Sequence, residues 1–259
     1  MTHDLLAVHE ERFRAFAAPY VGETRRNAGP MRLKLEHSLQ VLENARAITA
    51  REVRGEPLAT TCLLAALYHD LGRFPQYERW ATFRDADSAN HARLGVLHLR
   101  RTGLLRDLDP AMRKQVLTAV ILHNRLALPA AISPQVRTAA DVVRDADKLD
   151  IMRVMLGHFT AGADNDPVVV LNVADDPDRW TDTILDEVLA KRPGDYRRMR
   201  FVNDFVILIC GWAWALEFSA SRDLLRQRNL VGDLLGLLPR VQAMDKLRAS
   251  LAAFVRDPR

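Results

Sequence analysis

Apolar residues recur along most of this chain at steps of three and four, the period that lines up one face of an α-helix. Leu35, Leu39, Leu42, Ala45 and Ile48 form such a stripe and Gly55-Glu56-Pro57 ends it, so a helix is predicted over residues 31–54. Leu63, Ala66, Leu67 and Asp70 fall at helical spacing in a second, 58–70, with Gly72 as its C-terminal break. A third begins near His91, with Asp87 or Ser88 as its cap, and runs through Leu94, Leu97 and His98 to Gly103. Asp109-Pro110 opens a fourth to about 124, and Pro134 a fifth, through Val142, Val143 and Leu149 to about Phe159. Between the second and third, Arg73 to Asn90 holds Pro75, Phe74, Tyr77, Trp80 and the polar stretch Asp85-Ala86-Asp87-Ser88, which predicts an ordered loop placed to cover a pocket. A turn-rich stretch over 160–180 precedes helices near 180–192, 196–220 and 222–256. The one β-branched run, Val168 to Val173, is short and follows a turn, and no strand alternation stands out. The expected fold is all-α: an N-terminal helical extension over 1–30, a helical-bundle core over 31–160, and a C-terminal helical segment over 161–259 packed on that core, its helices candidates for a homo-oligomer surface.

Composition narrows the class. With 259 residues, 48% of them hydrophobic, and only 12 Gly and 12 Pro, the chain has the makings of a soluble globular protein with a sizeable core. Cys62 and Cys210 sit in apolar runs without CxxC spacing and read as buried free thiols of a reducing compartment. The N-terminus lacks a charged segment followed by an apolar one, so no signal peptide is expected and the location reads as cytoplasmic. The longest apolar run, Phe205 to Leu216, is about 12 residues against the roughly 20 of a spanning helix, and reads as a core helix with no membrane association. A net charge of +4 suits an anionic substrate, while Arg is spread along the chain instead of clustered with aromatics. Nucleic acid is therefore not expected as a partner.

The chemistry begins at Tyr68-His69-Asp70-Leu71-Gly72-Arg73, where an imidazole and a carboxylate close an apolar helix. Polar groups left beside a core are costly unless something satisfies them. His37, His91, His123 and Asp147 each lie within or at an end of a helical segment, far enough apart for each to occupy its own helix. With His69 and Asp70 they make four imidazoles and two carboxylates, enough for two metal ions held between facing helices. Any one of these histidines taken alone reads equally well as a hydrogen-bonded structural residue. Arg144-Asp145-Ala146-Asp147-Lys148-Leu149-Asp150 offers three carboxylates, and Asp145 and Asp147 lie about 200° apart on a helix, so only one of those two can face a shared site. His3, His9, His98 and His158 fall outside the pattern and read as surface or packing residues. Arg73, Lys148 and Arg153 are candidate phosphate binders.

The order His, His-Asp, His, His, Asp over roughly residues 31–158 resembles the HD-domain superfamily of metal-dependent phosphohydrolases, in its six-ligand form. The resemblance implies His37, His69, Asp70, His91, His123 and Asp147 as metal ligands, and it is what favours Asp147 over Asp145. It implies divalent ions, two of them bridged by Asp70, with Fe or Mn favoured and Zn, Co, Ni and Mg compatible. If His91 and His123 fall short, His37, His69, Asp70 and Asp147 would hold a single ion. The implied reaction is attack of a metal-activated hydroxide on a phosphoester, with Asp70, Arg73 and Lys148 as catalytic residues and the two cations stabilising the phosphoryl oxygens. The implied substrate is a small phosphorylated molecule, a nucleotide if Phe74, Tyr77, Trp80 and Phe83 stack a base instead of forming the loop's own core. Arg73 stands where similar proteins often carry Lys, and Asn124 where the histidine-pair branch has a second His. Arginine keeps the charge there and changes the donor geometry, while Asn124 and the missing Gly-Tyr-Pro signature point away from the branch that hydrolyses cyclic dinucleotides. The same six ligands also occur in di-iron oxygenases acting on a small polyol or phosphonate. A non-catalytic nucleotide or metal sensor is the third reading, and the intact ligand set argues against it.

Overall fold

The structure is a computed structural model and describes residues 2–22, 28–160 and 173–256. The chain divides into two compact units, Met1–Asp147 and Lys148–Arg259. The first contains α1 (Thr2–Val21), α2 (Ala28–Glu52), α3 (Glu56–Tyr68), α4 (Arg73–Trp80), α5 (His91–Thr102), α6 (Pro110–Leu122) and the first half of α7 (Pro134–Thr160). Its centre is α3, buried over nearly its whole length from Thr60 to Tyr68. A helix apolar on every side belongs in the middle of a bundle, and α1, α2 and α6 pack around this one. Thr60 and Thr61 enter that interior by donating their hydroxyls one turn back, to the carbonyls of Glu56 and Pro57. The N-terminal helix α1 is part of the same bundle: Leu6, Phe13 and Ala17 are buried, and the Phe13 ring meets Tyr68 and Phe74 edge-on.

One expected element differs. Residues 73–80 form a helix, α4, not a loop, because Pro75 falls in its first turn, where a missing N–H costs nothing. Phe74 and Tyr77 are buried beneath it. Ala81, left-handed at φ 51°, ends the helix by donating to the Tyr77 carbonyl. The cap of α5 is Asn90, whose side chain accepts from the Arg93 amide at 2.9 Å; neither Asp87 nor Ser88 takes that role. Asp109 caps α6 as its position suggests. Gly72 sets the distance between the end of α3 and the start of α5: a Cβ there would lie 2.0 Å from the His91 carbonyl oxygen and 2.5 Å from the Gly95 nitrogen.

The second unit holds the rest of α7 with α8 (Asp182–Leu189), α9 (Val202–Gly211), α10 (Ser219–Gln227), α11 (Leu230–Gly236) and α12 (Gln242–Arg256). The apolar run that begins at Phe205 is a buried core helix, continued by a short 3-10 turn at Trp212–Ala215. Asp204, fully buried at the start of α9, accepts from the amides of Thr181, Arg200 and Phe201 and from the Thr181 hydroxyl, so it serves as a satisfied structural anchor. The single helix expected over 222–256 is three, since Asn229 is left-handed at φ 50° and Pro239 stops the period again. Of the β-branched run, Val168–Asn172 lies outside the described residues. Beyond it, Ala174 makes one isolated parallel bridge to Phe201. The fold is all-α. Among the described residues no helix is long and apolar enough to cross a membrane. Both thiols are free and buried, and burial pushes Cys62 up to about 12 and Cys210 higher still.

Candidate metal centre

Five helices of the first unit deliver six side chains to one point. His37 comes from α2, His69 and Asp70 from the turn that closes α3, His91 from the first position of α5, His123 from the residue after α6, and Asp147 from α7. The four histidines and Asp70 are buried, at 0 to 6% exposed. Asp70 lies at the centre and divides its two oxygens between two histidine pairs. Oδ2 is 3.7 Å from His37 Nε2 and 3.9 Å from His69 Nε2; Oδ1 is 3.4 Å from His91 Nε2 and 3.8 Å from His123 Nε2. Asp147 Oδ1 completes the first group at 3.1 Å from His37 Nε2 and 3.6 Å from His69 Nε2. Asp145 is buried two residues earlier on the same helix. Ala146, between them, accepts from the Asn44 side chain at 3.0 Å, which ties α7 to α2 beside the centre.

Hydrogen bonding at the far ring nitrogens fixes what the near ones can do. His69 Nδ1 is 2.7 Å from the Ala66 carbonyl and His123 Nδ1 is 2.7 Å from the Val120 carbonyl. A carbonyl only accepts, so each Nδ1 carries a proton and Nε2 is the atom that each ring turns inward. His91 Nδ1 lies 2.8 Å from both oxygens of Asp85, which likewise only accept once ionised. Burial lowers His91 and presses His123 down to about 3, so both rings are neutral near pH 7. Two neutral rings thus face each other Nε2 to Nε2 at 3.1 Å with no proton left to share. That contact is repulsive by itself and suits a cation between the nitrogens. The buried His69 Nε2 also has no hydrogen-bond partner. Burial presses Asp70 upward, but the cations Lys34 and then Arg73 outweigh it and hold the carboxyl well below the usual range. Asp147 is held low in the same way, by His37 and His69 against its burial. Ionised carboxylates and neutral imidazole Nε2 atoms are the donor forms that divalent metals bind. His37, His69 and Asp70 form one group able to hold an ion, and Asp70, His91 and His123 form another.

Residues 35–152 match the HD domain, a span that contains all six side chains. Residues 35–152 form a region similar to the HD domain. No curated protein and no solved structure matches the chain. HD domains bind divalent metals and belong, as a superfamily, to metal-dependent phosphohydrolases, and the histidine and aspartate groups of this one fit a metal site of that kind.

Around this centre lies a layer of side chains, of which the sequence pattern singles out Arg73 and Asn124 but not Lys34, Gln76 or Asp85. Lys34, one turn before His37 on α2, donates to Asp70 Oδ2 at 2.8 Å. Its spacing to His37 was the available signal. Asp85 holds His91 and is held in turn by Gln76 Nε2 at 2.9 Å, Arg73 at 3.2 Å and Asn124 Nδ2 at 3.4 Å. Asn124 thus works at one remove, through Asp85. Arg73 Nη1 also donates to the Gln76 side chain and the Phe83 carbonyl, while its Nε stands 3.4 Å from Asp70 Oδ1. Its guanidinium is fixed inside the protein beside the central carboxylate. Lys148 follows Asp147 on α7 and opens the second unit. Of the four aromatics, Phe74 is core against α1, Tyr77 is buried against Phe83 with centroids 4.6 Å apart, Trp80 stacks with Arg79, and half-buried Phe83 lies 5.4 Å from Lys34 Nζ. His9 is buried with its Nδ1 2.9 Å from the Tyr68 hydroxyl, and His98 packs on Phe16. The side chain of His3 lies outside the described residues.

Proposed function

We propose that the HD domain hydrolyses a small phosphoester, a nucleotide first among candidates, at a centre for two divalent ions. The observation that carries this reading is the division of Asp70, one oxygen toward each histidine pair. His37, His69 and Asp147 would hold one ion, His91 and His123 the other, with Asp70 shared. Such ions, once bound, polarise a phosphoryl group and lower the pKa of a water.

The chain's own residues define the rest. Lys34, Arg73 and Asp147 are the partly exposed members, at 18, 17 and 21% of their side chains, against 5% or less for the ligating histidines and Asp70. The phosphate therefore enters on their side. Lys34 Nζ meets it as a direct cation and Arg73 acts as a fixed positive charge behind Asp70. Lys148 is proposed as a further phosphate cation from its place beside Asp147 in sequence. Phe83, at the edge beside Lys34, supports a ring-bearing substrate. A donor set of imidazole and carboxylate without thiolate suits Fe or Mn and admits Zn, Co and Ni.

The test is metal analysis of protein purified without added metal, then a phosphatase and phosphodiesterase panel with Mn under nitrogen. Two metals per chain with anaerobic phosphate release are expected. Iron with turnover only in oxygen would replace hydrolysis by oxygenase chemistry, metal and nucleotide binding without turnover would make the protein a sensor, and protein that binds no metal would overturn the proposal.

A further inference from the structure

The closed end of the α5–α6 hairpin carries an excess of charge and a cavity that the metal centre does not use. Residues 91–126 contain seven arginines and lysines against two aspartates, an excess of five in a chain whose whole net charge is +4. Both aspartates are committed elsewhere. Asp107 pairs with Arg12 of α1 at 2.7 Å, and Asp109 caps α6 through the amides of Ala111 and Met112. Arg100, Arg106, Arg113 and Lys114 instead line one groove of about 560 Å³, with no acidic residue among its walls. Among the described residues none of the four makes an ion pair. Like charges gathered round one concavity repel each other and draw an anion.

Two further features shape what fits. The walls between the cations are aliphatic, with Leu99, Leu117 and Ile121 facing the cavity and no aromatic ring for a base to stack on. The Arg106 guanidinium lies across Gly103: at φ 67° that residue ends α5, and a Cβ there would stand 2.0 Å from Arg106 Nε. A cavity of several hundred Å³ with apolar walls and a few converging polar groups is the usual form of a small-molecule site.

We propose that this groove binds a monomeric anionic amphiphile, an aliphatic chain ending in a phosphate-type headgroup. Arg106 and Arg113 take the headgroup oxygens, bidentate where geometry allows, with Arg100 and Lys114 beside them. The chain lies on Leu99, Leu117 and Ile121. The concave shape selects a single molecule over a bilayer, whose headgroups lie in a plane. This site is separate from the phosphohydrolase reading and does not depend on it.

The experiment is calorimetric titration of the full chain with decylphosphonate below its micelle concentration. Its P–C bond is not a phosphoester, so it is not consumed by hydrolysis. Saturable one-to-one binding is expected, with ethylphosphonate weaker by about tenfold or more because the apolar contacts are lost. Arg106→Glu/Arg113→Glu is expected to weaken decylphosphonate about tenfold or more with melting point and metal content unchanged, and Lys114→Glu alone to act in the same direction. Equal affinity for the two phosphonates would reduce the cluster to solvated cations and overturn the proposal. So would decylphosphonate binding that survives the double variant, which would locate it at the metal centre. Sedimentation with phosphatidylserine vesicles without binding of the monomer would likewise overturn it in favour of a membrane surface.

Discussion

Asp85→Asn tests the layer behind the proposed metal ligands. Burial presses the Asp85 carboxyl upward, yet the hydrogen bond from His91, with Arg73 and Gln76, holds it below the usual range, so it is an anion near neutral pH. Every neighbour it has is a donor: His91 Nδ1 at 2.8 Å to both oxygens, Gln76 and Arg73 on Oδ1, Asn124 on Oδ2. An asparagine must turn its own NH₂ toward donors on one side. With the amide nitrogen at the Oδ2 position it opposes Asn124 and half of the His91 contact, leaving one neutral acceptor for the imidazole N–H. A less basic, less firmly oriented His91 Nε2 follows. Loss of such a supporting partner typically costs 10- to 100-fold in metal affinity, or about 1.4 to 2.8 kcal/mol at roughly 1.4 per decade. The loss should fall on the His91–His123 half alone, because His37, His69 and Asp147 do not touch Asp85. Competition titration with a fluorescent chelator, with metal counted by mass spectrometry after dialysis, is expected to show one ion held as in the parent and one weakened by that factor. Two unweakened ions in a variant with the parent's melting point would refute the argument, and so would equal weakening of both.

Other substitutions probe separate features. Gly72→Ala would drive a methyl into the His91 carbonyl and the Gly95 amide; a loss of about 3 kcal/mol, the upper end of overpacking costs, is expected in denaturant unfolding, together with loss of metal. Neither Cys62 nor Cys210 should react with a thiol reagent in the native protein, since burial keeps both protonated and covered, and two thiols per chain should appear in guanidinium. Burial holds His9 below the usual histidine range against the pull of Asp107, and Arg12 adds to the depression. The unfolded chain therefore takes up this proton more readily, so the stability associated with His9 is full above about 6.5 and is lost as pH falls toward the lower folded value. His91 and His123 share that sign, so the check is a comparison: the melting point of His9→Gln should fall less steeply below pH 6.5 than the parent's, and parallel curves would contradict it.

The parts of this fold that could be read from sequence are those where chemistry and period reinforce each other. His69-Asp70 ends an apolar helix that has no exposed side on which to place it, so the cost of burying the pair already pointed to a partner. The other candidate ligands stand out by position on predicted helices, and the structure brings all six to one point. Residues 73–80 read as a loop because Pro75 and three aromatics carry loop signals, while the features that make α4 a helix, proline in the first turn and buried Phe74 and Tyr77, depend on what packs beneath. The long C-terminal period likewise runs unbroken past Asn229, whose left-handed backbone is a tertiary outcome.

Asp85 and the cationic groove show why the rest was hidden. Asp85 matters only through His91, six residues on, and a pair at that spacing meets because a 3-10 turn at Asp85–Asp87 and the Asn90 cap fold the chain back on itself. In sequence the arginines of residues 91–126 look evenly spread, as they do elsewhere in the chain. They converge because α5 and α6 pack against each other through a turn whose two aspartates are drawn off, one to Arg12 and one to a helix cap. Net charge by segment shows the excess over residues 91–126 but not the cavity, and it counts the aspartates that the fold neutralises elsewhere. What concentrates the field is the removal of the counter-charges, a long-range event carried by α1 more than 90 residues away in the case of Arg12 and Asp107. A ligand that binds there should therefore feel Arg12 indirectly: Arg12→Ala frees Asp107 to approach the groove's cations, and weaker binding of an anion in that variant follows from electrostatics alone.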